Sequence, residues 1–285
     1  MTTRPTVATV LAGALSIVAP AAAQKDPPVA DVVRAAGEYL ATYAPKVSGV
    51  TLQEEYTLID VTGGRMSTTQ RLNSDLVLLN LTGKIIALRD AYSIDSNALR
   101  VRQPRITTLL VRPTAAGWEQ AQAYAGETAR YLMDTLVVRS NDPTLAVQVA
   151  DPTNQTRLTY KIDGRKKMDG VDVIGLRFQE TKTPDASYIV PTPGKAAASG
   201  RLWLEAGTGR IHRTELSLQS DTESARIEVV YGRDSALDLW LPKEMVDLYD
   251  IKEQTGSNSY RTRSFQGRAD YANPRLTPIQ LTVPK

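Results

Sequence analysis

The chain predicts an α+β fold: one long, curved antiparallel sheet of about ten strands, with an N-terminal helix and an inserted helical region against it. Three observations carry this. Apolar residues recur at helical spacing before Pro45, and that spacing returns only between about residues 113 and 149. Period-two alternation governs most of the rest, and the second half runs strand, turn, strand with little helical pattern.

The first residues read as a secretory signal. Arg4 marks a short n-region, Val7 to Ala19 is mostly apolar and uncharged, and Ala21-Ala22-Ala23 before Gln24 supplies the small-residue pattern, so cleavage is expected after Ala23. Broken by Thr9, Gly13 and Ser16 and ended by Pro20, the apolar stretch is too short and too weak to span a bilayer, and no second one follows. The mature chain is therefore expected in the periplasm or outside the cell, without a transmembrane span. The chain has no cysteine, which excludes disulfides and a thiol-borne lipid anchor.

After the signal, Asp26 is placed to cap a helix with Pro27 in its first turn, and Val29, Val32, Val33, Ala36, Leu40 and Tyr43 form its apolar stripe until Pro45 stops it. From Val50 the period changes to two: Val50, Leu52, Tyr56 and Leu58 alternate with Thr51, Glu55 and Thr57, and Gly63-Gly64 begins a return through Thr68 to Leu81. Leu76 to Leu81 is nearly continuous in apolar residues, which fits a strand buried on both faces or a strand passing into a loop. Ile85 to Arg89 gives a short strand, and a polar segment follows to Pro104. Pro113 to Met133 is helical, with Trp118, Ala121, Ala125, Ala129 and Leu132 along one side. Asp142-Pro143 then opens either a short helix through Val149 or an alternating strand.

Seven strands follow: Leu158 to Ile162, Val171 to Glu180, Arg201 to Glu205, Arg210 to Gln219, Ala225 to Tyr231, Trp240 to Ile251 and Tyr260 to Tyr271. In sequence order they imply an antiparallel meander. Arg165-Lys166-Lys167, between Asp163-Gly164 and Asp169-Gly170, is expected at a hairpin tip. Thr183 to Gly200, rich in Pro and Ala, reads as a long irregular connection, either a mobile lid or a tolerated insertion.

One face of this meander is dry. Leu216 and Leu218 share a side with Thr214 and His212, Ile227, Val229 and Tyr231 continue it, and Leu202 and Leu204 extend it through the Gly207-Thr208-Gly209 turn. Arg213 and Glu215 face the other way, toward Glu228 and Arg226, as a cross-strand charge ladder. A concave apolar face of this kind is either the protein's own core, the commoner case, or a groove for a greasy ligand.

The chemistry inventory excludes more than it offers. His212 is the only histidine, no cysteine is available, and carboxylates occur at no metal-loop spacing, so no metal site is expected. There is no G-x-S-x-G elbow, no P-loop and no G-x-G-x-x-G after a strand, so no catalytic residue and no cofactor are assigned. A lone strand histidine is expected as an incidental, half-buried residue. The charge of +3 is a small difference between 34 basic and 31 acidic residues and gives no case for nucleic acid.

Arg89-Asp90-Ala91-Tyr92, Glu127-Thr128-Ala129-Arg130-Tyr131, Pro143-Thr144-Leu145, Gly200-Arg201-Leu202-Trp203-Leu204 with Gly207-Thr208-Gly209-Arg210, Trp240-Leu241-Pro242-Lys243-Glu244-Met245 and Ala269-Asp270-Tyr271 resemble a group of uncharacterised secreted bacterial proteins. The later part also resembles the half-barrel of periplasmic lipoprotein carriers of the LolA and LolB type. That resemblance implies a strongly curved sheet whose concave side, closed by helices, holds acyl chains. Residues 24–285 are then expected as a single half-barrel domain with a helical insertion at about 113–149.

The resulting expectation is a non-catalytic protein that binds a lipid or a lipoprotein acyl chain through Leu202, Leu204, Leu216, Leu218, Ile227, Val229 and Tyr231. The alternative is an envelope structural or interaction module with a packed core and a protein partner. An enzyme acting on envelope polymers ranks third.

Overall fold

The computed structural model describes residues 26–181, 187, 189, 196–257 and 259–281. The expected signal and its cleavage point after Ala23 lie outside the described residues, as do residues 183–186, 188 and 190–195 of the expected irregular connection.

Helix α1 (Val29–Val47) leads into β1 (Val50–Asp60), β2 (Thr68–Leu81), β3 (Lys84–Ile94) and the two-residue β4 (Asn97–Ala98). The insertion follows as α2 (Arg105–Leu110), α3 (Ala115–Ala129), α4 (Thr135–Ser140), a 3-10 turn (Leu145–Ala150) and α5 (Pro152–Gln155). The chain then returns to strands: β5 (Leu158–Met168), β6 (Val171–Glu180), β7 (Ala196–Leu204), β8 (Ile211–Ser220), β9 (Glu223–Asp234), β10 (Leu239–Gln254) and β11 (Tyr260–Leu276). Among the described residues these form one eleven-stranded antiparallel sheet in the order β4-β3-β2-β1-β11-β10-β9-β8-β7-β6-β5. The sheet is open, ending at β4 and β5. The expected meander is the run from β11 to β5, and the first three long strands join it through the pairing of β1 with β11.

The sheet bends strongly. The 3-10 turn touches β3 on one side and β7 and β8 on the other, although β3 and β8 stand six places apart in the strand order. Laid flat, six strand spacings would separate them by about 29 Å, more than twice the roughly 12 Å length of six 3-10 residues. Only a sheet wrapped around the turn lets both sides reach it.

Burial follows from this shape. Inward-facing side chains of β1 to β3 and β5 to β11 join those of α1, α4 and the 3-10 turn in one cluster. A second, smaller cluster lies on the convex face, where Val77, Leu79, Ile86 and Leu88 of β2 and β3 are covered by Ile106, Leu110, Trp118 and Ala121 of α2 and α3. The near-continuous apolar run at the end of β2 is thus a strand buried on both faces. Beneath α2, Asp75 and Asp90 face each other directly across β2 and β3. Two buried carboxylates so placed repel, and Arg102 and Arg275 on Asp75, with Arg100 and Arg105 on Asp90, compensate them and tie down the start of the insertion.

Several sequence expectations are corrected. Helix α1 is preceded by Pro28, without a side-chain cap from Asp26, and runs through Pro45 to Val47. Pro45 falls in the last turn, where its missing N–H costs one hydrogen bond and burial of Ala44 and Val47 holds the turn. Arg165, Lys166 and Lys167 lie within β5. The Asp163-Gly164 signal is a bulge, and the turn is made by Asp169 and Gly170, both at positive φ. Residues 196–200, expected to be irregular, pair with β8 as the start of β7. The helical region from Pro113 to Met133 is α3, with α2 and α4 added beside it, and α3 packs on the convex side rather than over the concave one. After Asp142 the chain forms a 3-10 turn, not a strand, with the Asp142 carboxylate accepting from Thr144 N at 2.7 Å.

Candidate functional site

The concave face has two unlike halves. The first is aliphatic and is built by β6 to β9. Leu202 and Leu204 on β7, Leu216 and Leu218 on β8, and Ile227, Val229 and Tyr231 on β9 all project into it, because alternation along each strand puts them on one side. Cross-strand register brings Leu216 opposite Ile227 and Leu218 opposite Ala198. All seven expected ligand-binding side chains are therefore together, and each is between 0 and 4% exposed.

What shields them is not sheet. Leu136 and Val137 of α4, with Ala146, Val147, Val149 and Ala150 of the 3-10 turn, belong to the same buried cluster. So do Val32, Ala36, Leu40 and Tyr43 of α1. Helix α1 presses against the turn after β7 so closely that a Cβ at Gly209 would stand 2.0 Å from the Ala35 carbonyl oxygen; at φ +69° that position suits glycine on both counts.

Residues 134–150, called the cover below, consist of the short α4, the 3-10 turn and the residues that join them. They are pinned at their margins by polar bonds. Asp134 caps α4 by accepting from Leu136 N at 2.8 Å. Arg139 pairs with Glu223 at 2.7 Å, the Tyr231 hydroxyl donates to the Pro143 carbonyl at 2.5 Å, and Gln148 Nε2 donates to the Ile85 carbonyl at 2.7 Å.

The second half, on β1 to β3, β10 and β11, is polar at its centre. Arg89 forks onto Glu54, with Nε 2.5 Å from Oε2 and Nη2 2.8 Å from Oε1. Nη2 also donates to Asn141 Oδ1 at 2.7 Å, linking this half to the cover. Ser74 donates to Glu54 at 2.6 Å, and the Tyr56 hydroxyl lies 3.2 Å from both oxygens of Asp247. Burial works against the Arg89 charge, but Glu54 more than offsets it, and the guanidinium is held above its ordinary pKa. Among the described residues no cation is bonded to Asp247. Burial pushes its carboxyl up to about 7, against the opposing pull of the Tyr249 and Tyr56 hydroxyls. Space is tight, since a Cβ at Gly267 would fall 1.7 Å from Asp247 Oδ1.

Sequence reasoning missed this half. The signal was parity: Glu54 shares the side of Leu52 and Tyr56, and Asp247 that of Met245 and Tyr249, so each breaks an apolar alternation from the inside.

His212 is fully buried rather than half-buried. Its Nε2 lies 2.9 Å from Glu205 Oε1 and its ring packs 4.7 Å from that of Trp240. The outer charge ladder is present in altered register: Glu215 stands opposite Glu228, and Arg213 pairs with Glu228 across the strands. Among the described residues, no three His, Cys, Asp or Glu side chains group to hold a metal ion, and no helix is long and apolar enough to cross a membrane.

No family model matches the chain, and no curated protein matches it. Solved structures do. Three of them align with it over most of its length. A domain described as an outer membrane lipoprotein-sorting protein domain, from Vibrio parahaemolyticus, is 11% identical at a TM-score of 0.43, covering 87% of this chain and 93% of that one. A LolA superfamily protein from Nitrosomonas europaea is 12% identical at a TM-score of 0.31, covering 86% and 94%. MucB, solved in complex with MucA, is 9% identical at a TM-score of 0.22, covering 86% and 94%. Such identities leave no site residue to carry across, and what this chain does rests on its own side chains.

Proposed function

We propose that this chain is a non-catalytic binding protein of the periplasm or the extracellular space that takes an apolar ligand, most simply an acyl chain, against the aliphatic half of its concave face when the cover shifts. The observation that carries this reading is the make-up of the cover. Leu202, Leu204, Leu216, Leu218, Ile227, Val229 and Tyr231 are shielded by a six-residue helix, a 3-10 turn and small aliphatic side chains, not by another sheet. Exchanging an aliphatic cover for an aliphatic chain preserves the burial of that face, at about 0.8 kcal/mol per methylene. The cost of opening then falls chiefly on the polar pins, Arg89 to Asn141, Arg139 to Glu223, Tyr231 to Pro143 and Gln148 to Ile85.

The absence of native thiols makes a clean test possible. Arg139→Cys with Glu223→Cys places two cysteines across the margin of the cover, and a cleavable bis-maleimide bridges them. Uptake of a fluorescent fatty acid that stops on bridging and returns on cleavage is the expected result. Equal uptake in both forms, or none in either, contradicts the reading.

A second reading, an envelope interaction module with a packed core, is favoured by the same low exposure of those seven side chains, because the face is already filled. It predicts no co-purifying lipid by native mass spectrometry and one stoichiometric protein partner from envelope extract.

A further inference from the structure

At the rim of the concave face, beside the end of α1, a cavity of about 460 Å³ opens between α1, the start of β8, the end of β9 and the start of β10. Its walls are Tyr39 and Tyr43, stacked with ring centroids 5.3 Å apart, and Trp240. Three cations border it, Lys46, Arg210 and Arg233. We infer that this cavity is a binding site for a phosphate ester.

The donor and acceptor census supports an anion. Lys46 is exposed at the end of α1 and forms no ion pair among the described residues. Arg210 engages Glu205 at 3.4 Å through one nitrogen, and its guanidinium carbon lies 5.5 Å from the Trp240 ring centroid. Trp240 contributes its ring to the lining. The Tyr39 hydroxyl is held in its neutral, donating form, chiefly by burial. Against these donors the lining offers one carboxylate, Asp238, and Arg233 Nη2 already occupies it at 2.8 Å. A pocket rich in N–H and O–H donors with a spare cation suits a phosphate, and the tyrosine and tryptophan surface suits the carbon body that carries it. A soluble sugar phosphate and a phospholipid headgroup share this chemistry.

The test uses the purified chain at low salt. Calorimetric titration with glycerol 3-phosphate is run beside flotation with phosphatidylglycerol and phosphatidylcholine vesicles. Lys46→Gln and Arg210→Gln are each expected to weaken binding about five-fold or more, while Lys252→Gln, the same charge change at the opposite end of β10 from Trp240, stays within about two-fold. Binding of glycerol 3-phosphate alone identifies a soluble ester as the ligand. Binding of phosphatidylglycerol vesicles, lost in Lys46→Gln, identifies a headgroup. No response to either probe, or an equal loss in all three variants, overturns the site. The fatty-acid uptake described above does not depend on Lys46, so failure of this site and failure of the apolar reading are distinguishable.

Discussion

On β6 to β9 the concave face is mainly aliphatic, with Glu180, His212 and Thr214 as its buried polar exceptions, whereas on β1 to β3, β10 and β11 it carries Glu54, Ser74, Arg89 and Asp247 among tyrosines at its centre, each of which needs a partner. The cover touches both halves in different ways. On the aliphatic side it offers chiefly Leu136, Val147 and Val149, contacts with no directional demand that another aliphatic chain can replace, beside the two polar pins on β9, Tyr231 to Pro143 and Arg139 to Glu223. On the polar side it offers Asn141 to Arg89, a directional, charge-assisted bond that a hydrocarbon cannot replace. One half therefore suits exchange, and the other suits anchoring and fixing the cover's position.

The sharpest way to break this comparison is to remove the anchor. Arg89→Met leaves Glu54 buried without its cation and is expected to cost about 3 to 5 kcal/mol in urea unfolding. Adding Glu54→Gln should recover much of that loss, because the unpaired charge is then gone. A double variant as unstable as the single one would show that packing, not charge, holds this half.

On the aliphatic side, Leu216→Ala should cost about 2 to 4 kcal/mol, since the side chain is 1% exposed and opposite Ile227. A cost below about 1 kcal/mol would mean that the cover collapses into the space left, and that the face is more loosely held than its burial implies.

A smaller effect separates the halves by pH. The folded-state carboxyl of Asp247 is raised to about 7, so between roughly pH 4 and 7 the folded chain holds a proton that the unfolded chain has released. Stability contributed by this group is full below that window and falls as pH rises through it, by at most about 1.4 kcal/mol per pH unit. Asp142, raised by burial, acts with the same sign. Asp247→Asn should flatten the decline in urea midpoint between pH 5 and 8, while Leu216→Ala should leave its slope as it is.

The contrast also explains what could be read from the sequence. The aliphatic half was legible: β6 coincides with its expected span, β8 differs by one residue at each end, and the seven inward side chains follow from alternation alone. The polar half was not, because Glu54 and Asp247 interrupt the pattern that identifies an inner face, and Arg89, the partner of Glu54, lies in a separate strand. Helices α2 and α4 escaped notice at six residues each, too short for periodicity to register. The cap at Asp134 and the ion pairs around Asp90 that hold them are visible only in three dimensions.

Amide hydrogen exchange tests the central claim most directly, comparing residues 136–150 with β8 and β9. If the cover exchanges places with a ligand, its amides open at least about 4 kcal/mol more easily than those strands, exchange roughly a thousand-fold faster, and slow when a fatty acid is added. Protection of the cover equal to that of β8 and β9, unchanged by fatty acid, would contradict the account and leave a permanently filled core.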